Sequence, residues 1–377
     1  MTRLPGSAFA CLGLLAAVAG VFAGCRIDPV PEQYLLNDIP ALVVGAPKNV
    51  ILVVGDGMGS EHIRAGGFFV HGTEGSLTFE DPAAFPVSVD MGTRNVWGGT
   101  TDSAASATAM ATGRKVSNRT LSLRIPGGGE SLDTLAEAAR AAGKAVGLVT
   151  TDNVCSATPA AFVAHHDDRY EYGAVAPQIL SFTPEILFGG GLAISAQDGI
   201  DAGYAVVGDA TGLEELASDS TSPAYGRFGD DIMPYVDSRG DLPTLSAMAI
   251  KALDRLEEDP DGFFLVVENE LIDESSHCND EALMVKEVAA LDEAVAAILA
   301  WMGSRTDTLV VVTADHETGG LEVLSGRAAD EIPDVSWSTG GHTSRKVKLF
   351  AAGPDSGSFE LLLENVDVYR IMIRYFP

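Results

Sequence analysis

An α/β fold is predicted, a three-layer sandwich in which a large, mainly parallel central sheet is flanked by helices. Three observations carry that expectation. Short apolar runs recur at Val50-Ile51-Leu52-Val53-Val54, Ala145-Val146-Gly147-Leu148-Val149, Phe263-Phe264-Leu265-Val266-Val267 and Thr308-Leu309-Val310-Val311-Val312. Strands apolar along their whole length are buried on both faces, which requires helices above and below the sheet. The runs alternate with helical stretches, the signature of βα units. Each run also ends in polar, metal-competent residues: Asp56, Thr151-Asp152, Glu268 and Asp315-His316. In open α/β sheets, ligands collect at the carboxyl ends of the strands.

The elements follow in chain order. The first strand opens near Asn49 and runs into Gly55-Asp56-Gly57-Met58-Gly59. Ser103 to Thr112 reads as a small-residue helix, and Ser131 to Ala142 as the helix before the second strand. Residues 192 to 240 are richer in Gly, Ser and Asp and are expected to form an excursion over the sheet. Leu242 to Leu256 precedes the third strand. Asp280 to Met302 precedes the fourth, with Val285, Val288, Leu291, Val295 and Ile298 at helical spacing. One main domain over 49–377 is the simplest organisation.

Ahead of it, residues 1–24 carry one charged side chain, Arg3, and an apolar stretch from Phe9 to Ala23 that ends in small residues before Cys25. The stretch falls short of the roughly 20 residues that cross a bilayer, so it reads as an export signal. Val21-Phe22-Ala23-Gly24-Cys25 resembles a bacterial lipobox, which implies cleavage and lipidation at Cys25 and a membrane-attached, periplasmic or cell-surface lipoprotein. Residues 25–48, with Pro29, Pro31, Pro40 and Pro47, suit an extended tether.

With 53 Asp plus Glu against 24 Lys plus Arg, the formal net charge is -29 and no basic tract is present. That balance argues against a nucleic-acid-binding surface. The four cysteines, at 11, 25, 155 and 278, show no C-x-x-C spacing, so any metal must be held by other groups.

Such groups cluster. Asp56 stands in Gly-Asp-Gly-Met-Gly, Glu268, Asp273 and His277 share one segment, Asp315 adjoins His316, and His342 stands in Gly-Gly-His-Thr. Mixed Asp and His ligands suit zinc, whereas an all-oxygen pocket suits magnesium. Ser103 falls at the start of its helix, where an anion is favoured; a plain N-cap serine is the other reading.

Five motifs occur in one order: Asp-Gly-Met-Gly, Thr-Asp-Ser-Ala-Ala-Ser-Ala-Thr-Ala, Ala-Thr-Pro-Ala-Ala, Thr-Ala-Asp-His-Glu-Thr-Gly-Gly and Gly-Gly-His-Thr. Together they resemble the alkaline phosphatase family from about Asn49 to the C-terminus. The resemblance implies a phosphomonoesterase acting on phosphate monoesters with two zinc ions and one magnesium. By that likeness Ser103 is the nucleophile and Arg169 grips two phosphate oxygens. Asp273, His277 and His342 would hold the first zinc, and Asp56, Asp315 and His316 the second. Asp56 would also bridge to a magnesium completed by Glu268 and Thr158, while His165 and His166 match no ligand.

The chain departs from the family at several points. Two residues before Thr158, where Asp or His is common, stands Ser156; Glu274 follows Asp273 where Lys, His or Trp is frequent; and Glu270 adds another acid. The two glutamates either face solvent or bring charge to the phosphate and metal sites. Cys155 and Cys278 fall near the metal ligands and either bridge or stay as buried thiols. Only 21 residues separate Gly320 from His342, so the crown subdomain common in the family is reduced or absent, which leaves homodimerisation open. The rival readings are a phosphodiesterase or sulfatase of the same superfamily, and a non-catalytic surface lipoprotein that binds phosphate or metal. Sulfatases need a C/S-x-P-x-R context that neither Ser103 nor Cys155 has.

Overall fold

The computed structural model describes residues 45–218 and 222–377; the expected signal peptide and most of the expected tether lie outside the described residues. The chain begins with β1 (Asn49–Gly55), α1 (Ser60–His71), β2 (Val87–Met91), α2 (Ser103–Thr112), α3 (Leu135–Ala141), β3 (Ala145–Asn153) and α4 (Ala157–Val163). It continues through α5 (Tyr172–Phe182), β4 (Ile186–Gly190), α6 (Ala196–Asp201), β5 (Ala205–Val207), α7 (Ala210–Glu215), β6 (Ala224–Arg227) and α8 (Leu245–Leu256). There follow β7 (Phe263–Asn269), α9 (Leu271–His277), α10 (Glu281–Met302), β8 (Thr308–Thr313) and β9 (Glu317–Thr318). Last come β10 (Glu322–Ser325), β11 (Asp334–Ser336), β12 (His342–Thr343), β13 (Val347–Ala352) and α11 (Val366–Met372).

Nine strands form one sheet in the order β2-β13-β8-β1-β7-β3-β4-β6-β5. Its pairs are parallel except for β13, which runs antiparallel to β2 and β8. The four apolar runs are the four adjacent strands β8, β1, β7 and β3, every residue of them buried. Helices cover the sheet in two groups: α10 packs with α1, α8 and α9, and α2 with α3, α4 and α11. The register matters most for function. Val54 pairs with Glu268 on one side and Thr313 on the other, and Glu268 pairs with Thr150. Four strands therefore finish level, and the residues just beyond them meet at one edge of the sheet.

The structure adjusts several boundaries. The helix expected from Ser131 starts at Leu135, and the one expected from Leu242 starts at Leu245. In each case a threonine hydroxyl, on Thr134 or Thr244, caps the first turn by accepting a backbone N–H three residues on. The stretch 192–240 is more than an excursion: β5 and β6 extend the sheet at its edge. Between Gly320 and His342 the chain forms the small two-stranded β10–β11 sheet, as the short interval implied. Cys155 and Cys278 are free thiols, the first buried and the second exposed. Among the described residues, no helix is long and apolar enough to cross a membrane.

A buried ion pair ties this stretch to α10. Arg239 Nη2 lies 3.4 Å from Glu287 Oε2, with both side chains almost fully enclosed. Glu287 also accepts from Val236 N at 2.7 Å and Asn269 Nδ2 at 3.1 Å. Removing one partner strands the other charge in the interior. Arg239→Ala is therefore expected to cost about 3–5 kcal/mol of stability, read as a lower denaturant midpoint; an unchanged midpoint would contradict this.

Candidate active site and metal centre

The site begins with the turn after β1. Asp56 is fully buried there, and Gly57 adopts φ +70. A Cβ at Gly57 would stand 2.5 Å from Asp273 Oδ1 and 2.9 Å from Asp273 Cα, so only glycine lets the two segments approach. Gly57 N–H donates to Asp315 Oδ1 at 3.2 Å, and His316 N–H donates to the same oxygen at 2.8 Å. These bonds fix one oxygen of Asp315 and leave Oδ2 free.

Ser103 is the first residue of α2, and it is not the cap. Asp102 takes that role: its Oδ1 accepts from Ala105 N at 3.0 Å and its Oδ2 from Arg119 N at 2.9 Å. The Ser103 hydroxyl is thereby released from capping and lies 3.3 Å from His316 Nε2. The same Nε2 is 3.2 Å from Asp315 Oδ2 and 3.4 Å from Asp56 Oδ1.

Around the serine, donor atoms fall into three groups whose members lie within 4.8 Å of one another: Asp273, His277 and His342; Asp56, Asp315 and His316; Asp56, Glu268 and Glu270. In the first, His277 Nε2 is 3.1 Å from Asp273 Oδ2 and 3.0 Å from His342 Nε2. The Nδ1 atoms point away, to Gly340 O at 2.7 Å and Thr101 O at 3.0 Å. A ring that donates Nδ1–H to a carbonyl presents its Nε2 lone pair inward, as a metal ligand must. Two such lone pairs face to face need a shared cation or proton between them. The Thr318 hydroxyl donates to Asp273 Oδ1 and orients that carboxylate.

The remaining groups contain polar atoms that no protein partner satisfies. Asp56 Oδ1 and Oδ2, Asp315 Oδ2, Glu268 Oε1 and Thr158 Oγ1 are all buried without a hydrogen bond. A buried carboxylate without a partner is strongly unfavourable, and a cation is the simplest group that would satisfy five such oxygens at once. The donor sets fit: the two Asp/His groups match zinc, and the all-oxygen group a hard divalent ion.

Electrostatics agree. Burial, then the charge of Asp152, pushes Glu268 up to about 8. Burial and then Asp273 raise Asp315 to about 6, and burial holds Asp56 and Glu270 well above the ordinary carboxylate range. Asp273 goes the other way: burial opposes its charge, but the His277 hydrogen bond and the neighbouring imidazoles outweigh that and hold it low. The Asp273 hydrogen bond correspondingly lifts His277 to about 9. So dense an acid cluster in one enclosed site requires compensating positive charge.

Arg169 supplies part of it. The guanidinium is nearly buried, lies 3.9 Å from Asp102 Oδ2, and leaves Nε without a partner. With Ser103, His277 and His342 it lines a cleft of about 450 Å³. Every residue expected at the site thus meets at this sheet edge, Thr158 included, from the first turn of α4. His165 lies apart, bonded to Ser122 O and Glu137 Oε1, and His166 to Asp168 O. Glu274 is exposed at the cleft mouth, whereas Glu270 is buried inside, so of the two only Glu274 faces solvent.

Sequence reasoning gave no role to Asp102 or Thr318 and named Asp152 only as a polar residue at a strand end. Asp152, at the end of β3, is pushed up to about 6 by burial and lines the cleft. Its strand-end position was the available signal. Nothing in a lone threonine two residues after His316 marks Thr318.

The alkaline phosphatase family model matches residues 47–182 and 191–331, leaving His342 outside the matched range. Alkaline phosphatase 3 of Bacillus subtilis (strain 168) is 28% identical over 86% of this chain and 87% of its own length. The structure of a cold-active alkaline phosphatase from the psychrophile Shewanella sp. superposes with TM-score 0.79 at 27% identity, covering 87% of this chain and 100% of that one. A variant of TAB5 alkaline phosphatase with Mg bound in its M3 site gives TM-score 0.76 at 26% identity, covering 88% and 98%. With the family model spanning most of the sequence and the nine-stranded fold shared at this level, the chain belongs to the alkaline phosphatase family of metal-dependent phosphatases.

Proposed function

We propose that the chain hydrolyses phosphate monoesters through a covalent phosphoserine on Ser103, with two zinc ions and one magnesium. The release of the Ser103 hydroxyl from capping, 3.3 Å from His316 Nε2 in a residue that lines the cleft, is the observation that carries this reading. Asp273, His277 and His342 would hold one zinc; Asp56, Asp315 and His316 the other; Asp56, Glu268 and Thr158 the magnesium. When bound, these ions supply Lewis-acid charge that favours the ionised serine and an attacking hydroxide and offsets charge on the departing oxygen.

The protein's own groups do the positioning. Ser103 Oγ gives up its proton to solvent and forms a bond to phosphorus as the bond from phosphorus to the ester oxygen breaks, and the departing alkoxide takes a proton from solvent. Water then bonds to the same phosphorus, the bond to Ser103 Oγ breaks, and the serine recovers a proton as inorganic phosphate leaves. Arg169 offers two parallel N–H donors to phosphate oxygens, and its burial beside Asp102 fixes their direction. The N-terminus of α2 adds a favourable dipole for a dianion.

We place this activity in the 49–377 domain, exported by the 1–24 signal and attached to a membrane through a lipid on Cys25. Acid quenching during turnover of a labelled nitrophenyl monoester should trap phosphate on the peptide containing Ser103, and the matching diester should turn over far more slowly. Label on another residue, or a preference for the diester, would overturn the reading.

A further inference from the structure

Building on the metal-dependent reading above, we propose that Glu270 is itself a ligand of the third cation, replacing from the β7–α9 junction the acid that α4 lacks at Ser156. One oxygen each from Asp56, Glu268 and Glu270 lie within 4.8 Å of one another, and all three residues are buried. Both Asp56 carboxylate oxygens, Glu268 Oε1 and, beside Glu268, Thr158 Oγ1 are buried without hydrogen-bond partners. The other Glu268 oxygen is engaged by Thr150 Oγ1 at 2.5 Å, which leaves Oε1 to a ligand.

The backbone of Glu270 is fixed for the role. Its N–H donates to Thr151 Oγ1 at 2.9 Å, Thr151 Oγ1 donates to Asn269 Oδ1 at 2.9 Å, and Asn269 Nδ2 donates to the buried Glu287 carboxylate at 3.1 Å. Opposite, Ser156 precedes Thr158 by two residues and brings only a hydroxyl to the α4 side. Arg169, whose guanidinium lies 3.9 Å from Asp102 Oδ2, is also attracted by the Glu270 charge, but a single cation shared with Asp102 does not balance the three buried acids Asp56, Glu268 and Glu270. Three carboxylates and a hydroxyl make an all-oxygen set, which selects Mg²⁺ or Mn²⁺ over Zn²⁺.

The test uses the full domain, stripped with a chelator, reloaded with zinc and titrated with Mg²⁺ by calorimetry. Glu270→Gln should weaken Mg²⁺ binding at least about tenfold while zinc content by elemental analysis stays as in the parent. Glu274→Gln, at the exposed mouth, should bind Mg²⁺ like the parent. In chelator, Glu270→Gln should melt above the parent, because one of three crowded buried acids is gone, yet gain less from Mg²⁺; a residue that merely packs would lose stability in both conditions. Parental Mg²⁺ affinity in Glu270→Gln would overturn the ligand assignment alone. A parent chain that takes up no Mg²⁺ after zinc loading would overturn it together with the magnesium reading on which it rests.

Discussion

Ser103→Ala is expected to lower kcat/KM for a phosphate monoester by about a thousandfold or more, because it removes the hydroxyl that forms the bond to phosphorus. What makes the experiment decisive is that little else should change. Asp102 caps α2, so the Ser103 hydroxyl contributes nothing to helix initiation, and alanine is the better helix former at the first helical position. Stability should therefore stay within about 0.5 kcal/mol of the parent. Metal content should also hold, since the three donor groups contain no serine. Activity within about tenfold of the parent, with metal retained, would mean that phosphorus is attacked by something other than Ser103.

Much of this was legible in the sequence, and the reason is physical. Strands buried on both faces announce themselves as unbroken apolar runs, so the four strands at the heart of the sheet could be read directly. Their carboxyl ends marked where ligands gather, and Asp56, Glu268 and Asp315 follow at once. Edge strands such as β5 carry no such signal: Ala205, Val206 and Val207 are half-buried, and a three-residue strand looks like any loop. Helix starts were misplaced because Thr134 and Thr244 do their work just outside the helix. Glu270 was the hardest to assign. Acids are abundant on this chain, and whether a glutamate faces water or a cation depends on register between β7 and β1, which composition does not encode.

Stripping the metals should abolish hydrolysis and should also reverse the way stability responds to pH. In the chelated protein Glu268 titrates near 8 and His277 near 9, both above their unfolded values. Between about pH 6.5 and 9 the folded chain then holds protons that the unfolded chain has released, so stability falls as pH rises. Glu268 alone would contribute about 2 kcal/mol over that interval, with a smaller, solvent-screened share from the half-exposed His277. Below that window the trend weakens, because His316, buried and held well under its ordinary value, binds its proton only on unfolding and works in the opposite sense. With metal bound the ligands are already deprotonated in the folded state, and binding tightens as pH rises because protons no longer compete. Thermal melts in excess chelator should accordingly drop by several degrees from pH 6.5 to 9, while melts of the metal-loaded protein should not. A chelated protein whose melting temperature is flat or rises across that range would contradict the raised titration of Glu268 and His277, and metal-loaded melts that fall in the same way would mean that bound cations do not hold these ligands deprotonated.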